Sequence, residues 1–307
     1  MSLPKVSIIG AGNVGATAAH ILLNHDLADI VMIDVVAGVA EGKALDMMHM
    51  RGNEGFHAKV SGSTDYALTE NSDIVVVTAG VPRRPGMTRE DLLNVNANIV
   101  KSVLDEALPR SPEAIYIFVT NPLDVMVNYA FSLAGVPKER LFGMGGVLDT
   151  ARFVHAVCER LDCQPSEVDA LVIGAHGEAM LPLPRLATVN GTTLTELMGA
   201  ENIDAVVADT INGGAAIVEL LQTGSAFYAP GSSIASMVAE LLFPTGKTVS
   251  VSARLSGEYG LYDIHLGVPV RLGKGGVEEI IELDLSDQEL ASLAAAADSI
   301  KAQLSEL

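Results

Sequence analysis

Cysteine, basic residues and long apolar runs are what these 307 residues have least of, and each shortage closes a class of function. Cys158 and Cys163 are the only cysteines. They lie five apart on or just past one expected helix, poor geometry for a bridge, and no CxxC motif or His/Cys cluster accompanies them. They therefore read as core thiols, and no metal site is expected. Nineteen lysines and arginines stand against 38 aspartates and glutamates, a formal net charge of −19 that argues against nucleic acid and anionic membrane as partners. The chain is 49% hydrophobic with a mean hydropathy of +0.35, yet its apolar runs are strand-length, whereas a bilayer helix needs about 20 apolar residues. Met1-Ser2-Leu3-Pro4-Lys5 enters a strand pattern at once and leaves no room for a signal peptide, so a cytoplasmic location is expected. The acidity suits an ordinary solvated surface, or a salty cytoplasm where screening relieves the repulsion among carboxylates.

What is present begins with rhythm. Residues 6 to 120 alternate helical patterns with the apolar runs Val6 to Ile9, Ile30 to Ile33, Val60 to Gly62, Ile74 to Thr78 and Ile115 to Val119. Continuous Val/Ile runs mark strands buried on both faces, as in a parallel sheet covered by helices. Past about Asp149 the pattern changes to longer helices and alternating strands, with a hairpin-like Gly273-Lys274-Gly275-Gly276 between Val268 to Leu272 and Val277 to Leu283. Ser286-Asp287-Gln288-Glu289 forms a capping box ahead of Leu290, Leu293, Ala294, Ala297, Ile300 and Leu304 at helical spacing. No repeat and no Ser/Pro/Gly-rich linker separates the halves, so they are expected to pack directly. The expected fold is α/β: a doubly wound N-terminal domain over 1–148 and an α+β C-terminal domain over 149–307.

Gly10-Ala11-Gly12-Asn13-Val14-Gly15 joins the first strand to a helix beginning Ala16-Thr17-Ala18-Ala19. In that context Gly10 permits the tight turn, Gly12 lets backbone approach a pyrophosphate, and Gly15 lets helix pack on strand, with the anion at the helix N-terminus. The second strand ends at Asp34, about 20 residues on, where a carboxylate can bind both ribose hydroxyls and repel a 2′-phosphate. This is the Rossmann fingerprint, and Asp34 favours NAD over NADP. Flavin binding uses the same fingerprint and stays open at this point.

Three of the eleven arginines fall within seven residues of Ala79-Gly80-Val81-Pro82-Arg83-Arg84-Pro85-Gly86-Met87-Thr88-Arg89, a loop at the carboxyl edge of the sheet, where ligands bind. On so acidic a chain this reads as an anion-gripping lid hinged at its Gly/Pro ends, against the plainer reading of a solvated basic loop. Asp149 and Arg152 share a helix face if Asp149 opens a helix. His176 follows the strand Leu171 to Gly174 between small residues that leave its ring accessible. A lone histidine at a strand end is usually structural; the company of Asp149, Arg152 and a nucleotide site makes it a candidate base. Removing a hydroxyl proton during hydride transfer needs such a group, and imidazole is matched to neutral pH. A protein that only senses NAD would keep the glycines and Asp34 without the rest.

These segments resemble the lactate/malate dehydrogenase family, and within it the malate dehydrogenases closer to lactate dehydrogenases. The likeness runs from Gly10 to the last helix through GAGNVG, VPRRPGMTRED, VTNPLD, GVLDTAR and GAHGE, in the family's order and spacing. The resemblance implies NAD-dependent exchange of malate and oxaloacetate in the tricarboxylic acid cycle, with lactate or another 2-hydroxy acid as the alternative. It implies that His176 accepts the proton with Asp149 as partner, that Arg152 binds the 1-carboxylate and that Arg89 polarises the reacting oxygen. It further implies that Arg83, six before Arg89, selects the substrate and that Asn121 touches both nicotinamide ribose and substrate. Asn96, Val119 and Thr120 are implied to line the cofactor, and Ser225 the far wall of the pocket. Gly143-Met144-Gly145-Gly146 departs from the family's usual Gly-Gln-Ala-Gly, with nothing catalytic resting on it. A homodimer or homotetramer is implied.

Overall fold

The computed structural model describes residues 3–82 and 87–307. In its first half the apolar runs become strands: β1 (Lys5–Ile9), β2 (Asp29–Ile33), β3 (Val60–Ser63), β4 (Ile74–Val77), β5 (Ile115–Phe118) and β6 (Leu141–Gly143). Every residue of β4, β5 and β6 is buried, as strands covered on both faces require. The edge strand β3 is only partly covered. Helices α1 (Asn13–Asn24), α2 (Val39–Glu54), α3 (Arg89–Ala107) and α4 (Leu123–Ala134) connect them. The strand order β3-β2-β1-β4-β5-β6, parallel throughout, is the doubly wound arrangement, and it leaves the loops after β1, β4 and β5 at one carboxyl edge.

The second half opens with α5 (Gly146–Leu161), then the short strands β7 (Val168–Asp169), β8 (Val172–Gly174), β9 (Met180–Pro182), β10 (Thr188–Val189) and β11 (Thr192–Thr193). It continues through α6 (Leu194–Leu197), α7 (Ala200–Leu221), α8 (Tyr228–Leu242), β12 (Thr248–Ser256), β13 (Tyr262–Gly273), β14 (Gly276–Ile280) and α9 (Asp287–Leu304). β12, β13 and β14 pair antiparallel, with the hairpin turning at Lys274 and Gly275. β12 also joins β6 at Ser252 and Gly143, so one 11-stranded sheet runs through both halves. This continuity meets the expectation of direct packing. The capping box closes as expected: Ser286 N donates to Glu289 Oε2 at 2.7 Å, and Ser286 Oγ accepts from Glu289 N at 3.3 Å.

The cysteines differ from expectation. Both are partly exposed, and Asp162, in the left-handed conformation at φ 49°, ends α5 and folds Cys163 back until its sulfur lies 3.8 Å from that of Cys158. Burial, then the Cys163 hydrogen bond and charge, push the Cys158 thiol up to about 11, which favours its protonated form. Among the described residues no three or more His, Cys, Asp or Glu side chains group as for a metal, and no helix is long and apolar enough to cross a membrane.

Surface ion pairs such as Lys101–Asp105 and Arg271–Glu279 join exposed side chains, where water screens most of their attraction. Such pairs leave the repulsion within a net charge of −19 largely unrelieved. The melting temperature is therefore expected to rise as salt goes from low to molar concentration. A flat or falling melting temperature in a thermal scan across that range would remove the salt-adaptation reading.

Candidate active site

The turn after β1 is built around glycines. Gly10 adopts φ +105°, and a Cβ there would sit 2.7 Å from Ala79 N; at Gly15 a Cβ would meet Gly10 O at 2.2 Å. Gly12 is different, because a Cβ there meets nothing within 4 Å. The demand for glycine at position 12 thus comes from space outside the protein. Gly12 is also the N-cap of α1 and supplies no side-chain cap, and no acidic residue occupies the helix's first turn. The free N–H groups and the positive end of the dipole face that space, which suits an anion. Beside it lies a cleft of about 320 Å³ lined by Gly10, Gly12, Asp34, Thr78, Gly80 and Val81 among others. These residues suit a dinucleotide phosphate.

Asp34 caps the strand side of the turn: Oδ2 accepts Ala11 N at 2.9 Å and Oδ1 accepts Val36 N at 3.0 Å. Lys43 Nζ from α2 donates to Ala11 O at 2.7 Å, a tie that the sequence motif does not reveal. Asn13 is exposed and Val14 partly buried on the first turn of α1. Asn96 is buried, with Oδ1 accepting Val81 N at 2.9 Å and Nδ2 donating to Asn121 O at 2.6 Å. Thr120, also buried, donates to Ala79 O at 2.6 Å. Both side chains are spent on backbone, so they fix the loops after β4 and β5 from behind. Val119 is partly exposed, and Asn121 is exposed where β5 gives way to α4.

The second cluster grows from the start of α5, which begins at Gly146, three residues ahead of Asp149. Asp149 is buried in the helix's first turn. Its Oδ2 lies 2.8 Å from His176 Nδ1 and its Oδ1 accepts from Arg152 Nη1 at 3.3 Å. His176 sits just past β8, between the positive-φ residues Gly174 and Gly177. With Nδ1–H donated to the carboxylate, Nε2 is the free ring nitrogen, on a side chain 16% exposed. Burial alone pushes the His176 pKa down; the charge and hydrogen bond of Asp149, with Asp124 adding to them, outweigh burial and an opposing Arg152, so the net direction is upward. Arg152 Nε is buried with no hydrogen-bond partner. Gly213 and Gly214 of α7 pass so close to Arg152 that a Cβ on either would sit 3.3–3.4 Å from it. A partly buried guanidinium with an unused, buried donor is matched to a carboxylate ligand.

The structure therefore brings together His176, Asp149 and Arg152. It leaves Arg89 exposed as the first residue of α3, behind a capping box of Thr88 and Asp91, with no ion-pair partner among the described residues. Ser225 is exposed between α7 and α8. Arg83 and Arg84 lie outside the described residues.

Two family models cover nearly the whole chain: lactate/malate dehydrogenase, NAD binding domain, over residues 4–143, and lactate/malate dehydrogenase, alpha/beta C-terminal domain, over 146–307. A malate dehydrogenase of Nostoc punctiforme is 49% identical over 98% of this chain and 92% of its own length. The crystal structure of Cryptosporidium parvum malate dehydrogenase superposes with a TM-score of 0.96 at 42% identity, over 99% of both chains. The Cryptosporidium parvum lactate dehydrogenase complexed with lactic acid and nicotinamide adenine dinucleotide gives 0.95 at 36% identity, over 99% of this chain and 98% of that one.

Proposed function

The chain belongs to the lactate/malate dehydrogenase family, and we propose that it interconverts malate and oxaloacetate with NAD as its coenzyme. The observation that carries the chemistry is the His176–Asp149–Arg152 cluster, in which a buried carboxylate holds an imidazole at 2.8 Å while its other oxygen meets a guanidinium with an unused donor. Residues 1–148 hold the nucleotide in this reading and 149–307 the substrate. Gly10 to Gly15 would hold the pyrophosphate and Asp34 the ribose, with the loops carrying Val119, Thr120 and Asn121 beside them. When bound, the nicotinamide accepts or supplies the hydride.

The chain's own residues do the rest. His176 Nε2 takes the hydroxyl proton of malate, and Asp149 fixes the tautomer and stabilises the imidazolium. Arg152 grips the 1-carboxylate by a bidentate fork, which sets the face presented to the coenzyme. Arg89 stabilises the charge that develops at the reacting oxygen. Arg83 pairs with the second carboxylate, which a lactate dehydrogenase has no use for. Its relatives' names and this arginine favour malate over lactate. A homo-oligomer and a cytoplasmic role in the tricarboxylic acid cycle accord with this assignment.

The Asp34 carboxylate, which already binds two backbone amides at the end of β2, would confront the added phosphate of NADPH. Oxaloacetate-dependent oxidation of NADH, followed by absorbance against a blank without substrate, is expected to far outpace that of NADPH. Equal rates with both coenzymes would overturn the role of Asp34, and no oxaloacetate-dependent rate with either would overturn the assignment itself.

A further inference from the structure

A second carboxylate stands behind His176. Asp124 lies in the first turn of α4, three residues past Asn121, on a stretch otherwise apolar: Leu123, Val125, Met126 and Val127. It is buried, 4% exposed. Its Oδ2 accepts the backbone N–H of His176 at 2.7 Å, and its Oδ1 accepts the hydroxyl of Ser252, from β12, at 2.6 Å. One side chain thus pins the His176 segment to both the nucleotide-side helix and the strand that joins the two halves of the sheet.

Hydrogen bonding alone does not call for an aspartate, because an asparagine can also hold an N–H and a hydroxyl. A carboxylate buried on two neutral donors is costly unless a positive charge balances it. No lysine or arginine pairs with Asp124 among the described residues. The charged groups facing His176 are Asp149 and Arg152 from α5 and Asp124 from α4, while β12 adds only the Ser252 hydroxyl. Arg152 is already turned to Asp149. Among the described residues, the cation available to Asp124 is the imidazolium that forms on His176 itself.

We infer that Asp124 is a positioning residue that holds the His176 backbone and, by its buried charge, stabilises the protonated ring alongside Asp149. Burial, with the nearby charge of Asp149 adding to it, leaves the Asp124 pKa raised overall; the Ser252 hydrogen bond and the His176 amide and charge oppose that shift, so a proton on His176 favours the ionised form of Asp124 and the two states support one another. This rests on the reading of His176 as the proton exchanger.

The test is the pH profile of kcat/KM for oxaloacetate reduction by NADH in the wild type, Asp124→Asn and Ser252→Ala. Reduction needs the imidazolium, so the wild-type rate falls as pH rises through the His176 pKa. Asp124→Asn keeps shape and hydrogen-bonding capacity but removes the charge. Its falling limb moves to lower pH, with the rate at the wild-type midpoint down roughly three- to tenfold relative to its own acid plateau. Ser252→Ala moves the limb the same way by less, because the hydroxyl that favours the ionised carboxylate is gone. A limb that keeps its midpoint in folded Asp124→Asn, whatever the plateau, shows a structural role only and overturns the inference. If Asp124→Asn does not fold, Ser252→Ala decides by the same criterion. A wild-type profile with no falling limb instead refutes the proton role of His176.

Discussion

Arg83→Gln is expected to lower kcat/KM for oxaloacetate by about 10²- to 10⁴-fold while pyruvate becomes a better substrate than before. In a closed, water-poor site the second carboxylate of oxaloacetate must find a cation, and removing one partner of such a buried pair costs about 3–5 kcal/mol, at about 1.4 kcal/mol per decade of rate. Pyruvate gains because its methyl group no longer faces an unpaired guanidinium. Arg84→Gln is the control: with no substrate carboxylate assigned to it, it should change efficiency only modestly. Steady-state kinetics of both variants on both substrates check this. If Arg84→Gln proves the damaging change, the register of the loop is one residue off, and if neither substitution alters the preference, selectivity lies elsewhere.

His176→Ala should cost at least the 10²- to 10⁴-fold that a positioned acid–base group supplies, while NADH binding persists. The two effects separate because the residues that suit the nucleotide, Gly10, Gly12 and Asp34, belong to the turn after β1 and the end of β2, whereas His176 hangs past β8 on Asp149 and Asp124. Turnover and NADH fluorescence titration on the same preparation read the two. Loss of NADH binding in a folded variant would mark His176 as structural.

The strands of the first half are legible in the sequence because burial on both faces leaves unbroken Val/Ile runs, and the glycine turn because its spacing answers to backbone contacts. The second half of the sheet is less so, since β8 and β9 are three residues each and are defined by partners far along the chain. Asp149, Arg152 and His176 stood out by type and company, and the structure gathers them. Asn96 and Thr120 read as cofactor-lining from the family pattern, yet their side chains are buried and tied to backbone, a fact only the loop packing contains. Asp124 went unread because an acid in a helix's first turn is ordinary, favoured there by the dipole. Its partners His176 and Ser252 are 52 and 128 residues away. One signal was present: a single charge within the apolar stretch Leu123 to Val127. The Cys158–Cys163 contact was hidden for another reason, since it depends on the left-handed turn at Asp162.

The most direct measurement is the ratio of kcat/KM for oxaloacetate to that for pyruvate, with NADH, in the unmodified protein. A dicarboxylate site built on Arg152 and Arg83 should favour oxaloacetate by about 10²-fold or more, the discrimination expected when a buried cation is either paired or left unpaired. A ratio near one, or a preference for pyruvate, would contradict the assignment to malate.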